Sequence, residues 1–458
     1  MSKLKKLITE IHHRSLWQVL LIYLGGSWIV FEIVQTVTEG LGLPQWFPAF
    51  AALLLLIGLP VVLATAFVRE REPTATVSDP TPVPVVEEDS EAQRAQLHDG
   101  GEVPASARSV AVLPFANLSG DPENEYFSDG ITCDIINHLA KIADLNVISR
   151  TSAMYYKNTD KNLRQIGQEL GVAGIVEGEV QRRGDRVRIN AQLVDASTDG
   201  HLWAEQYDRE LTDVFAIQSE VALSVAHALA ATLTEDEEQR IERTPTENME
   251  AYNLYLLGRH WLIKRVNLEK ALEYFQQAVG QDDALGLAYV GLSDTYLMLV
   301  YYAGWTQTEA VPKARTAALR ALDIDSTLGE AYASLGAVEH WLEWKWDEAK
   351  RNYERAIAFN PGYAEAHSWY GQLLGHMGDS QTCLLELERA LQLDPVSPIV
   401  ITNLGFVLYK LGRYDDAIRL YRRVAVLMPD FPAYREWLGL VRRYHTGTAR
   451  MALRCTNG

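Results

Sequence analysis

The chain has 458 residues, with 42 Lys+Arg against 60 Asp+Glu, a formal charge of -18, 48% hydrophobic and 22% charged residues. That length exceeds one ordinary hydrophobic core and predicts two or three domains, while the composition argues against wholesale disorder and against a polytopic membrane protein. The acidic balance speaks against nucleic acid as a partner, and three widely spaced cysteines (Cys133, Cys383, Cys455) support neither a disulfide framework nor a zinc site.

The amino-terminal part is of a different kind. Residues 47–68, FPAFAALLLLIGLPVVLATAFV, carry no charge over 22 positions, enough helix to cross a hydrocarbon core of roughly 30 Å. Residues 15–38 are also long enough, although they contain Gln18, Glu32 and Gln35, and a carboxylate at bilayer depth costs about 2.5–3.5 kcal/mol on insertion scales. Glu32 is therefore expected near the membrane surface. A secretory signal fits poorly, because two long apolar runs follow each other. Lys3, Lys5, Lys6 and Arg14 precede the first run, Arg69 and Arg71 follow the second, and the connection 39–46 has no Lys or Arg. The positive-inside bias predicts a basic cytoplasmic segment at 1–14, a transmembrane helical hairpin at 15–68, and everything beyond in the cytoplasm. If the first run only lies on the surface, the rest of the chain is periplasmic instead. Residues 69–107 mix five prolines with nine acids and no aromatic, and are expected to be a disordered tether.

A small α/β domain is expected at 108–235. Residues 109–113 read as a buried strand, bounded by the turn-rich NLSGDPEN at 117–124. A helix follows, capped by Ser128 or Asp129, with Ile131, Ile135, Leu139 and Ile142 at helical spacing. Val147-Ile148 suggests a further strand and 161–170 a further helix. The clearest pattern is RVRINAQL at 186–193, whose alternation pairs it with 175–181 through a tight hairpin at Gly184-Asp185. A closing helix over about 210–233 places Val214, Ile217, Val221, Val225 and Ala228 on one stripe. The acids Asp121, Glu123, Glu125 and Asp129 lack the spacing of a calcium loop and read as a capping turn. Cys133 reads as a small core residue.

The segments SVAVLPFANLSGDPENEYFSDGIT (109–132), VISRTSAMYYK (147–157), IGQELGVAGIVEGEVQRRGDRVRINAQLVDASTDGHLWAEQYDREL (166–211) and VFAIQSEVA (214–222) closely resemble the TolB amino-terminal-like (FlgO-like) domain. In that family the domain often stands between an amino-terminal signalling module, such as a nucleotide cyclase, a winged-helix domain or a kinase, and tetratricopeptide repeats. Here the hairpin and tether fill the module's place, so the resemblance implies no cyclase, kinase or DNA-binding activity.

From about 250 to 458 the chain is self-similar. Ala349, Cys383 and Ala417 are 34 apart, as are Pro361, Pro395 and Pro429, and this is the tetratricopeptide period. Leu335-Gly336, Tyr370-Gly371 and Leu404-Gly405 mark first helices, and the prolines end the second ones. Earlier units sit at Leu257-Gly258 and Leu292-Ser293, the latter with a longer turn around AGWTQTEAVP (303–312), and Trp437-Leu438-Gly439 begins a partial sixth. The expected fold is thus multi-domain: a membrane hairpin, a small α/β domain and an all-α solenoid of about five repeats plus a partial one.

Projecting the repeat places Tyr252, Tyr255, Arg259, His340, Gln372, His376, Phe406 and Tyr409 on the concave face that binds a protein partner. Chaperone-binding relatives clamp a carboxylate tail there with Lys and Asn. In this chain Tyr255, Arg259, Ala333, Ala337, Ser368, Gln372, Thr402 and Phe406 stand in comparable places, and aromatic anchors favour an apolar or amphipathic ligand. Catalytic, metal and cofactor fingerprints are absent from the sequence. The expected function is a non-enzymatic, membrane-anchored adaptor in signalling or regulation. The alternatives are a regulatory or degenerate member of the cyclase-linked group and a periplasmic envelope-assembly factor. Whether the α/β domain takes a small ligand is open.

Overall fold

The computed structural model describes residues 107–441, apart from 122–123, 266, 430, 432–436 and 440. The expected spans at 15–38 and 47–68, the basic segment 1–14 and all but the last residue of the tether lie outside the described residues. Among the described residues no helix is long and apolar enough to cross a membrane.

The first part is a six-stranded mixed sheet in the order β3-β1-β4-β5-β6, built from β1 (Ser109–Val112), β3 (Asn146–Val147), β4 (Gly174–Arg183), β5 (Arg186–Asp195) and β6 (His201–Glu210), with β2 (Ala116–Asn117) also pairing with β4. β1 lies parallel to both β3 and β4, and all four of its residues are buried. This is why it reads as an unbroken apolar run: helices cover both faces of the sheet at that point. On one face pack α1 (Glu125–Ala140) and α4 (Val214–Ala228), joined by Ala153 of α2 (Arg150–Met154), and on the other α3 (Leu163–Leu170), over Ala111, Ile148 and Ile175. β4 and β5 form the expected hairpin, closing at Arg183↔Arg186 with Gly184 at φ 58°, where an L side chain would be strained. Val187, Ile189, Ala191 and Leu193 all point inward.

Two local expectations need correction, and one strand was not foreseen. α1 begins at Glu125 and not at Ser128 or Asp129, because burying Phe127 completely favours an earlier start; Ser128 is itself buried within the helix. Ala228 is exposed, and Leu229 closes the stripe of α4 in its place. The strand β6, whose pattern is almost entirely exposed, carries no alternation that would announce it.

After α5 (Glu235–Glu242), which opens with a Thr234–Glu237 capping box, the chain becomes five antiparallel helix pairs. The first helices are α6 (Met249–Lys264), α8 (Gly286–Tyr302), α10 (Gly329–Ala337, continued as a π turn to Leu342), α12 (Ala364–Met377) and α14 (Pro398–Lys410). Their partners are α7 (Leu268–Gln281), α9 (Gln307–Ile324), α11 (Trp346–Phe359), α13 (Ser380–Leu393) and α15 (Tyr414–Leu427). The last three end two residues before Pro361, Pro395 and Pro429, since the residue before a proline is driven out of the helical region. The longer turn expected over 303–312 shrinks to 303–306. A capping box between Thr306 and Glu309 starts α9 early, and the helix runs through Pro312 with Ala310 and Ala314 fully buried.

Four of the five pairs close where a glycine of the first helix lies under a large side chain of the second, and in the remaining one Gly291 of α8 lies under Phe275 of the preceding pair. A Cβ added to Gly336 would stand 2.9 Å from Tyr353, one on Gly371 2.8 Å from Leu387, and one on Gly405 3.0 Å from Tyr421. The small residues that reveal the repeat in the sequence are therefore the places where helix axes approach most closely.

The sheet and the array belong to one body. A single core cluster runs from Val110 and Phe127 through Tyr252 and Phe275 to Ala314. At the seam the Gly362 amide donates to the Ala140 carbonyl at 2.9 Å and the Ser149 amide to the Leu393 carbonyl at 2.7 Å. Ser152 Oγ donates to Asp394 at 2.5 Å and accepts from the Val396 amide at 3.0 Å. Arg389 reaches Asn146 at 2.5 Å, and Arg243 pairs with Asp325 at 2.6 Å. The small α/β region is thus seated against the first helices and the turns between repeats.

Candidate functional site

The eight residues expected on the concave face separate into three groups. Tyr252 and Tyr255, on α6, are 0% and 3% exposed. The Tyr252 hydroxyl donates to Asp134 of α1 and accepts from Gln218 Nε2 of α4 at 3.0 Å, while its ring meets Phe215 edge-on at 4.6 Å. These two tyrosines face the α/β region of the same chain and do not stand in an open groove. Burial pushes the Asp134 carboxyl up to about 6, against the hydrogen bonds from Tyr252 and Gln218. Arg259, one turn further along α6, faces a cleft between α6 and α1.

His340 and His376 form the second group. His340 Nε2 and His376 Nδ1 lie 2.9 Å apart, so one ring donates to the other, and Trp341 and Trp346 flank the pair. The sequence named both histidines without indicating that they touch across adjacent repeats. Burial, and then the neighbouring His376, lower His340 to about 3, while burial and Lys410 lower His376. A histidine neutral when folded but titrating near 6.5 when unfolded contributes stability that is present above 6.5 and is lost as the pH falls from there toward 3. His340→Phe should therefore gain on the wild type by about 1–2 kcal/mol between pH 7 and pH 5, as read by urea denaturation at the two pH values. A gap that does not change with pH would mean that His340 titrates normally.

Gln372, Phe406 and Tyr409 make up the rest. Gln372 donates to the Ser368 carbonyl of its own helix at 3.3 Å, Phe406 packs on Trp437 at 4.7 Å, and Tyr409 on Tyr414 at 5.9 Å. All three are half-buried, and Lys410 lies over the Phe406 ring. Nearby, at the ends of the third and fourth first helices, Trp344 is 73% exposed and Met377 38%. Trp341 packs between Trp369 at 5.3 Å and the exposed Tyr301 at 6.2 Å. Sequence periodicity did not single out Trp344, because it lies in the turn after the π segment, at φ 60°.

One buried acid of the repeats was not singled out in the sequence. Asp294 of α8 accepts from Ser334 Oγ at 2.5 Å and is pushed up to about 6 by burial. Cys133 is not a core residue: it is half-buried in the wall of the cleft, with Asp134, Asn137 and Arg150. The acids at the start of α1 serve structure, since Glu125 and Asp129 both pair with Lys157, at 2.6 and 2.5 Å. Among the described residues no group of His, Cys, Asp or Glu is placed to hold a metal ion.

Two stretches, 352–384 and 398–431, match the family description "Tetratricopeptide repeat". The chain is 36% identical over 288 residues to "Putative adenylate cyclase 3" of Rhizobium meliloti (strain 1021), covering 62% of this chain and 45% of that protein. It is 27% identical over 170 residues to the transcriptional regulator HilA of Salmonella typhimurium, covering 36% of this chain and 30% of that one. The chain thus spans less than half the length of the curated relatives it matches. Among solved structures, a thermophilic TPR protein of Thermus thermophilus aligns with 42% of this chain and 98% of its own, at 19% identity and a TM-score of 0.36. On the two matched stretches and the helix pairs that contain them, the carboxyl-terminal half carries tetratricopeptide repeats.

Proposed function

We propose that the chain is a non-enzymatic adaptor, held at a bacterial inner membrane by residues 15–68 with its folded body in the cytoplasm, that binds a protein partner on the later repeats. In this reading the α/β region, which resembles the TolB amino-terminal-like domain, senses or docks and so places the adaptor in signalling. The observation that carries it is the division of the inner face. The first repeat is closed by the chain's own α/β region, while Trp344, His376, Met377, Phe406 and Tyr409 offer partly exposed aromatic and apolar side chains at the ends of successive first helices. Such side chains are the usual anchors of peptide and helix recognition.

The test is photo-crosslinking in intact cells from positions 344 and 376. A discrete adduct that disappears with Phe406→Glu is expected, and no adduct from either position would refute the binding face. A reporter enzyme fused at the carboxyl end tests the compartment, and periplasmic activity would favour the envelope-assembly reading. A second reading, a regulatory member of a cyclase system, is favoured by the 36% identity over 288 residues. Cyclic nucleotide formed from ATP by the purified chain would overturn the non-enzymatic assignment.

A further inference from the structure

The cleft between α1 and α6 is lined by Tyr126, Asp129, Cys133, Asp134, Arg150 and Arg259 among others, and its charges are unevenly satisfied. Its two acids are already engaged: Asp129 by Lys157 at 2.5 Å, and Asp134 by Tyr252 and by Gln218 at 3.1 Å. Its two guanidiniums make no such contact, although the Asp294 and Asp134 charges act on Arg259 from beyond hydrogen-bond reach. Neither Arg150 nor Arg259 makes an ion pair or hydrogen bond with another described residue, and Arg150 Nε is buried without a partner. Arg150 comes from the segment after β3 and Arg259 from the first repeat, yet both act on the same Cys133 thiol, which burial raises and their two charges lower. An arginine in a partly enclosed place whose N–H groups make no hydrogen bond forgoes the charge-assisted, forked contacts that it makes best with phosphate and carboxylate. Beside the two arginines the wall is apolar and aromatic, with Tyr126, Tyr255, Leu256 and Ile263.

We propose that this cleft binds a small organic anion, with its phosphate or carboxylate between Arg150 and Arg259 and its apolar body against Tyr126, Tyr255 and Ile263. Because Arg150 belongs to the α/β region and Arg259 to the repeats, such a ligand stabilises the seam between them, and occupancy is communicated to the array. The site is independent of any partner on the later repeats.

The test uses the full chain in detergent with phenyl phosphate, phenylacetate and inorganic phosphate as probes, followed by calorimetric titration and by the rate at which iodoacetamide alkylates Cys133, read by peptide mass spectrometry. At least one aromatic probe should bind saturably, more tightly than inorganic phosphate, and slow the alkylation of Cys133. The two aromatic probes separate a phosphate from a carboxylate ligand. Arg150→Gln and Arg259→Gln should each weaken binding at least about tenfold, the loss of one charge-assisted hydrogen bond. The proposal is overturned if no probe binds, if binding leaves Cys133 alkylation unchanged, or if both variants bind as the wild type does. Protection of Cys133 is measured on the unsubstituted chain, so it holds as a readout even if a variant misfolds.

Discussion

Tyr252→Ala is expected to destabilise the folded body by about 3–5 kcal/mol, the cost of removing a large, fully buried aromatic side chain and leaving a cavity. Tyr252 is 0% exposed and lies where three parts of the chain meet. Phe215 of α4 packs on its ring, Tyr255 stacks at 6.1 Å, and its hydroxyl joins Asp134 and Gln218. The truncation also deprives Asp134, which is short of water, of its closest donor, and this adds to the loss. Tyr252→Phe keeps the ring and removes only the hydroxyl, so about 1–3 kcal/mol should be lost. Chemical denaturation followed by circular dichroism measures both, and limited proteolysis of Tyr252→Ala should release the α/β region from the array. A loss below about 1 kcal/mol for the alanine variant would be that of an ordinary surface position and would contradict the seam.

Gly291→Val, in the second repeat, is expected to cost about 3 kcal/mol or more, at the upper end of overpacking. A Cβ at Gly291 would stand 2.3 Å from Phe275 Cε1, and the same ring lies 2.7 Å from a Cβ built on Gly258. The ring is held between two glycines on neighbouring first helices and has no direction in which to retreat. Gly280→Ala is the control. Gly280 lies in α7 with nothing within 4 Å of an added Cβ, so it should gain up to about 1 kcal/mol from helix propensity alone. Thermal denaturation of the pair separates close packing from backbone preference, and a similar response of both glycines would refute the packing of Phe275.

What was legible in the sequence follows from local rules. The hairpin at Gly184-Asp185 was readable because alternation and a turn signal agree, and its register came out with Arg183 opposite Arg186. The helix pairs were readable because Gly336, Gly371 and Gly405 recur where axes must approach, with a proline after each partner helix. β6 escaped because nearly all of its residues are exposed, with only Tyr207 well buried, so an edge strand held by cross-strand pairs such as Arg188 and Asp208 leaves no hydrophobic period. The start of α1 escaped because complete burial of Phe127 outweighed the capping preference of Ser128 and Asp129.

The candidate site shows the same limit more sharply. Helical periodicity determines which residues share a face, and Tyr252, Tyr255 and Arg259 do share one. It is silent on what lies opposite, because contacts across more than a hundred residues, such as Tyr252 to Asp134 or Ser152 to Asp394, leave no mark on local spacing. By itself the sequence determined the repeat period, the sheet's central hairpin and the place of the negative charge beyond the apolar amino terminus. Only the tertiary structure decided that the first repeat's inner face is filled by the chain's own α/β region, and that Arg150 and Arg259 line one cleft at that seam. Burial and desolvation depend on the neighbour that packing supplies, and that neighbour is not encoded in the period of any one helix.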